Sequence, residues 1–79
     1  MTTKKISMKD ISRKYDKRYD VLYVMLKDAY TYAEDDPDIK NVVVKRDETD
    51  DSVAGFIIFN YKKDKVSVRK IIQKYVTAA

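Results

Sequence analysis

Apolar positions in this chain recur at two different spacings, and the change falls near its middle. Before Pro37 the spacing reads as helical. Met8, Ile11 and Tyr15 form one short stripe, and Leu22, Met25, Leu26, Ala29 and Ala33 fall at i, i+3, i+4, i+7 and i+11, with Val21 and Val24 widening that face. Ser7 followed three residues later by Asp10 has the form of a helix start. The pattern predicts a short helix over about Met8–Tyr15, a polar gap at Asp16-Lys17-Arg18, and a longer helix that stops before Pro37, because the residue preceding proline avoids helical geometry. One continuous helix over Met8–Glu34 is the alternative, since no glycine marks the gap.

From Asn41 the pattern changes. Val42-Val43-Val44 is short and β-branched, and Val53–Tyr61 is a longer run containing Phe56, Ile57, Ile58 and Phe59. Together they read as an antiparallel hairpin whose loop, Lys45–Ser52, is polar and mostly acidic. After the polar break Lys62–Lys65, Ser67 caps a final helix in which Val68, Ile71, Ile72, Tyr75 and Val76 make a full apolar stripe opposite Arg69, Lys70, Gln73 and Lys74. The expected fold is therefore α+β: an N-terminal helix or helix pair, a two-stranded antiparallel hairpin, and a C-terminal amphipathic helix. Residues 1–79 form one small domain in this reading, with 1–6 as a flexible N-terminal arm.

Composition narrows the chemistry. The chain has 79 residues, room for one modest core, and contains neither cysteine nor histidine. Disulfides, a thiolate nucleophile, the commonest metal ligands and the commonest general base are thereby excluded. A single glycine leaves no loop to cradle a phosphate, and the acidic loops lack the alternating acids and central glycine of a calcium site. Ser7 and Ser67 read as caps. The expectation is a non-enzymatic protein without cofactor or metal. Lys4 and Lys5 precede no apolar run, and no segment approaches the roughly 20 apolar residues of a membrane span, so a cytoplasmic location is expected.

Charge is sorted by position. Residues 1–18 carry seven Lys/Arg against two Asp, residues 19–39 one Lys against six acids, and residues 52–79 six Lys/Arg against one Asp, within a total of +4. Clustered like charge destabilises a compact chain and suits a surface that meets a charged partner.

The segment Lys9–Leu26 resembles the helix-turn-helix of DNA-binding regulators. Asp10-Ile11-Ser12 matches the acid, core and small positions of the first helix, and Leu22 with Met25 or Leu26 the core positions of the second. The resemblance departs at the turn, where Asp16 and Lys17 stand in place of the usual glycine and apolar residue. It implies that Arg18, Tyr19, Tyr23 and Lys27 face the groove while Lys9, Arg13, Lys14 and Lys17 neutralise phosphates. A homodimer would suit such a reader of paired half-sites. With the hairpin following, the whole chain is similar to a winged variant, although an acidic wing tip would be repelled by DNA. The bland alternative is two amphipathic helices with solvated charges.

A second reading rests on the acids Glu34, Asp35, Asp36, Asp38, Asp47, Glu48, Asp50 and Asp51. Gathered on one face they would imitate a run of phosphates and dock a basic nucleic-acid-binding protein. Such an inhibitor would be similar in style to phage-encoded host-modifying proteins. Otherwise they are two solvated loops. Of seven tyrosines, Tyr15, Tyr61 and Tyr75 are expected in the core with the hydroxyl reaching water, and Tyr19, Tyr23 and Tyr30 on a partner surface. The basic positions Lys62, Lys63, Lys65, Arg69, Lys70 and Lys74 read either as a phosphate-contacting patch or as a solvated helix face.

Overall fold

Five strands and one helix make up the described part of the chain, residues 11–76 of the computed structural model. The N-terminal arm at 1–6, the helix start at Ser7 and Met8, and Lys9 lie outside the described residues. The strands are β1 (Ser12–Asp16), β2 (Val21–Met25), β3 (Thr31–Asp35), β4 (Val42–Asp47) and β5 (Val53–Phe59), followed by α1 (Val68–Val76). They form one antiparallel sheet in the order β1-β2-β5-β4-β3. Strands β3, β4 and β5 follow one another as a meander. The β2–β3 connection carries the chain past both β5 and β4, which is Greek-key order.

This corrects the expected N-terminal helices. The described part of Met8–Glu34 is β1, β2 and most of β3. Two local features explain the outcome. First, Val21-Leu22-Tyr23-Val24-Met25 is β-branched, aromatic and apolar on both faces, the composition of an inner strand. Second, Asp16-Lys17-Arg18-Tyr19-Asp20 builds a reversal without glycine. The Asp16 carboxylate accepts the backbone N–H of Arg18 at 2.9 Å and of Tyr19 at 3.3 Å, and Asp20 takes the left-handed conformation at φ 55°. A helix through this segment would forfeit both.

The same economy recurs elsewhere. Asn41, Asp51, Asn60 and Lys65 hold the other positive-φ positions, and asparagine and aspartate tolerate them best after glycine. The one glycine serves a different need. A Cβ at Gly55 would stand 2.4 Å from the Val24 carbonyl oxygen, so only glycine lets β5 lie this close to β2.

The core lies on one face of the sheet. Two rows of side chains, Leu22–Ile58–Val42 and Val24–Phe56–Val44, face Val68, Ile71 and Ile72 of α1. Phe56, Ile58, Ile71 and Val44 are almost completely buried, each worth about 1.5–3 kcal/mol by area. Tyr15, Tyr61 and Tyr75 pack at the margin of this cluster. Two of their hydroxyls have protein partners: Tyr15 donates to Asp20 at 2.8 Å, and Tyr75 donates to Asp36. At the start of α1, Ser67 Oγ accepts the Lys70 N–H at 3.3 Å. Among the described residues no helix is long and apolar enough to cross a membrane.

Candidate functional site

Because strand side chains alternate, residues between the core rows point to the opposite face, which α1 does not cover. One complete row there runs Lys14–Tyr23–Ile57–Val43–Asp35 across all five strands, and the next is Ser12–Met25–Gly55–Lys45–Ala33. A third brings Asp16, Val21 and Phe59 together. The centre of this open face is apolar and accessible: Tyr23 is 43% exposed, Met25 49% and Phe59 42%, with Ile57 and Val43 half-buried between them. Depressions lined by described residues border it. One at the β1 edge joins Tyr23 to Lys14, Lys17 and Arg18. Another lies where Gly55 has no side chain, between Met25, Lys45 and the β2–β3 connection. A third runs from Phe59 and Val43 to Asp35 and Lys40.

The ionic groups divide into those that hold the fold and those left outward. Asp36 is buried, and its carboxylate accepts the N–H groups of Asp38 and Ile39 at 2.7 Å, the Lys74 ammonium at 2.9 and 3.0 Å, and the Tyr75 hydroxyl. Burial alone would raise its pKa; the Tyr75, Lys74 and backbone bonds outweigh that and hold it at about 2. The same contacts push Lys74 up, chiefly through Asp38 and Asp36, whereas burial is the first cause that raises Tyr75. Asp47 is likewise held at about 2, by the hydroxyl and N–H of Thr49 and then by Lys27 at 2.9 Å. Asp50 is lowered by the Ser52 hydroxyl and N–H, and Glu34 pairs with Arg46. Asp20 is lowered by the Lys62 and Lys63 N–H groups together with the Tyr15 hydroxyl, against its desolvation.

Among the described residues, ion pairs engage three cations: Lys27, Arg46 and Lys74. Lys14, Lys17, Arg18, Lys40 and Lys45 around the open face, and Lys62, Lys63 and Lys65 beyond its end, have no carboxylate within ion-pair distance among those residues.

The expected groove-reading set is dispersed accordingly. Lys9 lies outside the described residues, and the others stand on β1, β2 and the segments that follow them rather than on a recognition helix. Tyr23 and Lys14 stand side by side on the open face. Lys17, Arg18 and Tyr19 sit in the β1–β2 turn, with Tyr19 67% exposed. Arg13 is in register with Val24, on the core side of the edge strand. Lys27 is tied to Asp47 and Ser52. The expected anionic face is also divided. Asp35, Asp36 and Asp38 stand at one end of the β3–β4 hairpin and Asp47, Glu48, Asp50 and Asp51 at the other, with Glu34 on the strand between, across roughly 17 Å of strand.

Met25, Val43, Lys45, Ile57 and Phe59 were read from the sequence as core, strand or loop positions and not as residues of a binding face. Their signal was available. Val53–Phe59 is apolar at consecutive positions, so an inner strand there must be apolar on both faces. Among the described residues α1 covers only one of those faces, a fact that the expected N-terminal helices hid from view.

No family model matches the chain, and neither the curated proteins nor the solved structures yield a significant match.

Proposed function

We propose that this chain is a small non-enzymatic binding protein, acting in the cytoplasm, whose open sheet face takes single-stranded nucleic acid. The reading is carried by Tyr23 and Phe59, exposed on adjacent strands amid Met25, Ile57 and Val43, with Lys14, Lys17, Arg18, Lys40 and Lys45, which meet no carboxylate at ion-pair distance among the described residues, around them. Flat aromatic side chains stack on unpaired bases of any sequence, and surrounding cations follow the phosphates. Aromatic side chains on an open sheet face can stack only on bases that are unpaired, so single strands are proposed over duplex. The division of charge supports a polyanion rather than a basic protein as partner, because the carboxylates largely hold turns and the cations are outward.

Fluorescence anisotropy with labelled oligo-dT and oligo-U of about 10 nucleotides tests it. Micromolar binding in low salt is expected, weakening as salt rises. Tyr23→Ala and Phe59→Ala should each lower affinity about ten-fold, in line with the roughly 1–3 kcal/mol of one base–aromatic stack. Absence of binding to either strand, or equal binding by both alanine variants, would refute the reading. So would a self-associating protein whose dimer dissociates on Tyr23→Ala.

A further inference from the structure

The open face ends at a second charged surface built from two turns distant in sequence. Asp20 joins them. Its carbonyl oxygen accepts the Tyr61 N–H at 3.1 Å, and its carboxylate accepts the N–H groups of Lys62 at 2.9 Å and Lys63 at 3.1 Å and the Tyr15 hydroxyl at 2.8 Å. These bonds turn the Asp20 carboxylate inward and fix the β1–β2 turn against the β5–α1 turn. Five exposed cations stand outward there, Lys17 and Arg18 from one turn and Lys62, Lys63 and Lys65 from the other, against exposed Asp64 and against Asp16, whose carboxylate accepts the Arg18 and Tyr19 N–H groups. Asn41 extends the clamp by donating to Asp64 at 2.7 Å, which engages the acid among those lysines.

This surface is continuous with the proposed site. Lys17 and Arg18 border the same depression as Tyr23 and Lys14, and Arg18 lies 5.9 Å from the Tyr19 ring centroid, presenting a guanidinium beside an exposed aromatic. On the far side of the junction, Lys62 rests 4.8 Å from the Tyr15 ring centroid, at the core-facing side of the sheet. The cations therefore lead from the open face over the end of the sheet.

We infer that a bound single strand leaves the open face past Tyr23 and Arg18 and continues over this Asp20-fixed end, its phosphates meeting Lys62, Lys63 and Lys65. The inference rests on the single-strand reading above and adds its direction and footprint. Bases stack on the sheet, and the strand's extension is held by charge alone. Long strands gain contacts that short ones do not reach.

The test compares oligo-dT of about 4 and about 12 nucleotides, both within the roughly 4–16 nucleotides that known single-strand-binding domains cover. The proteins are the wild type and the triple variant Lys62→Gln, Lys63→Gln, Lys65→Gln. For the long strand the variant should bind roughly ten-fold more weakly in low salt, and its log–log salt slope should fall by about 2, since each neutralised single-strand phosphate contributes about 0.7. The short strand should bind both proteins alike. Equal loss for both lengths, or no loss for either, would overturn the path while leaving the open-face reading intact. Failure of the wild type to bind either strand would overturn both. Far-ultraviolet circular dichroism keeps the comparison valid, because the three substituted side chains are exposed and outside the core.

Discussion

Single aspartates and asparagines do much of what glycine does in other small β proteins. Asp16, Asp47 and Asp50 each accept the backbone N–H two residues on, and Asp20, Asn41, Asp51 and Asn60 take left-handed backbone themselves. Asp36 carries the largest load, joining the β3–β4 connection to Lys74 and Tyr75 of α1. Its pKa of about 2 lies below the ordinary 3.8. Its contribution is therefore complete above about pH 4 and is lost as pH falls through 2. Asp36→Asn should cost about 2 kcal/mol at neutral pH. In urea titrations at successive pH values, the variant should lose less stability between pH 4 and 2 than the wild type. Gly55→Ala is the complementary case. Its new methyl meets the Val24 carbonyl, which is backbone and cannot swing aside. A loss of at least about 2 kcal/mol is expected, seen as a melting temperature lower by roughly 10 °C.

Elements differ in how openly the sequence announces them. The stripe of Val68, Ile71, Ile72 and Tyr75 has the helical period over two turns, with Ser67 before it, and α1 occupies Val68–Val76. Ile71 sits almost fully buried against the sheet. Ile71→Ala should cost about 3 kcal/mol in a urea titration, and Ser67→Ala about 1 kcal/mol. Pairing of the segments around Val42–Val44 and Val53–Phe59 was also legible, since both are β-branched or aromatic and a polar loop separates them. The N-terminal strands were not. In β2 both faces are apolar, so Leu22, Leu26 and Met25 fall on helical spacings by coincidence, and strict alternation is absent. In β1 and β3 the edge position leaves mostly exposed side chains, Arg13 and Lys14 in one and Tyr32, Ala33, Glu34 and Asp35 in the other. Such strands carry little apolar signal of their own and are defined by the neighbour they pair with.

At the scale of the molecule, the one helix among the described residues lies on one face of the five-stranded sheet, and Tyr23, Met25 and Phe59 stand exposed on the other. Tyr23, Lys14, Lys17 and Arg18, named from the sequence for a DNA-reading helix, stand instead on strands and a turn at this face. What joins them was not legible in the sequence, because it depends on register. Lys14 meets Tyr23, and Tyr23 meets Ile57, only once β2 lies between β1 and β5. The acids fail as a single surface for the same reason, since the β3–β4 and β4–β5 loops that hold most of them lie at opposite ends of β4. Tyr23 and Phe59 stand outside the core cluster. Their alanine variants should therefore unfold within about 1 kcal/mol of the wild type while losing affinity for single strands, a separation that calorimetry and anisotropy together measure.

The seam between β2 and β5 also sets an order of events. It joins Val21 to Phe59 and Met25 to Gly55, partners thirty or more positions apart, whereas every other pairing closes within a short hairpin. A growing chain can therefore hold β1–β2 as one ribbon and β3–β4 as another before the middle strand arrives. Synthesis must reach Phe59 before the two ribbons fuse, and α1 before their greasy side is sheltered. Docking at that seam is the step expected to limit the folding rate.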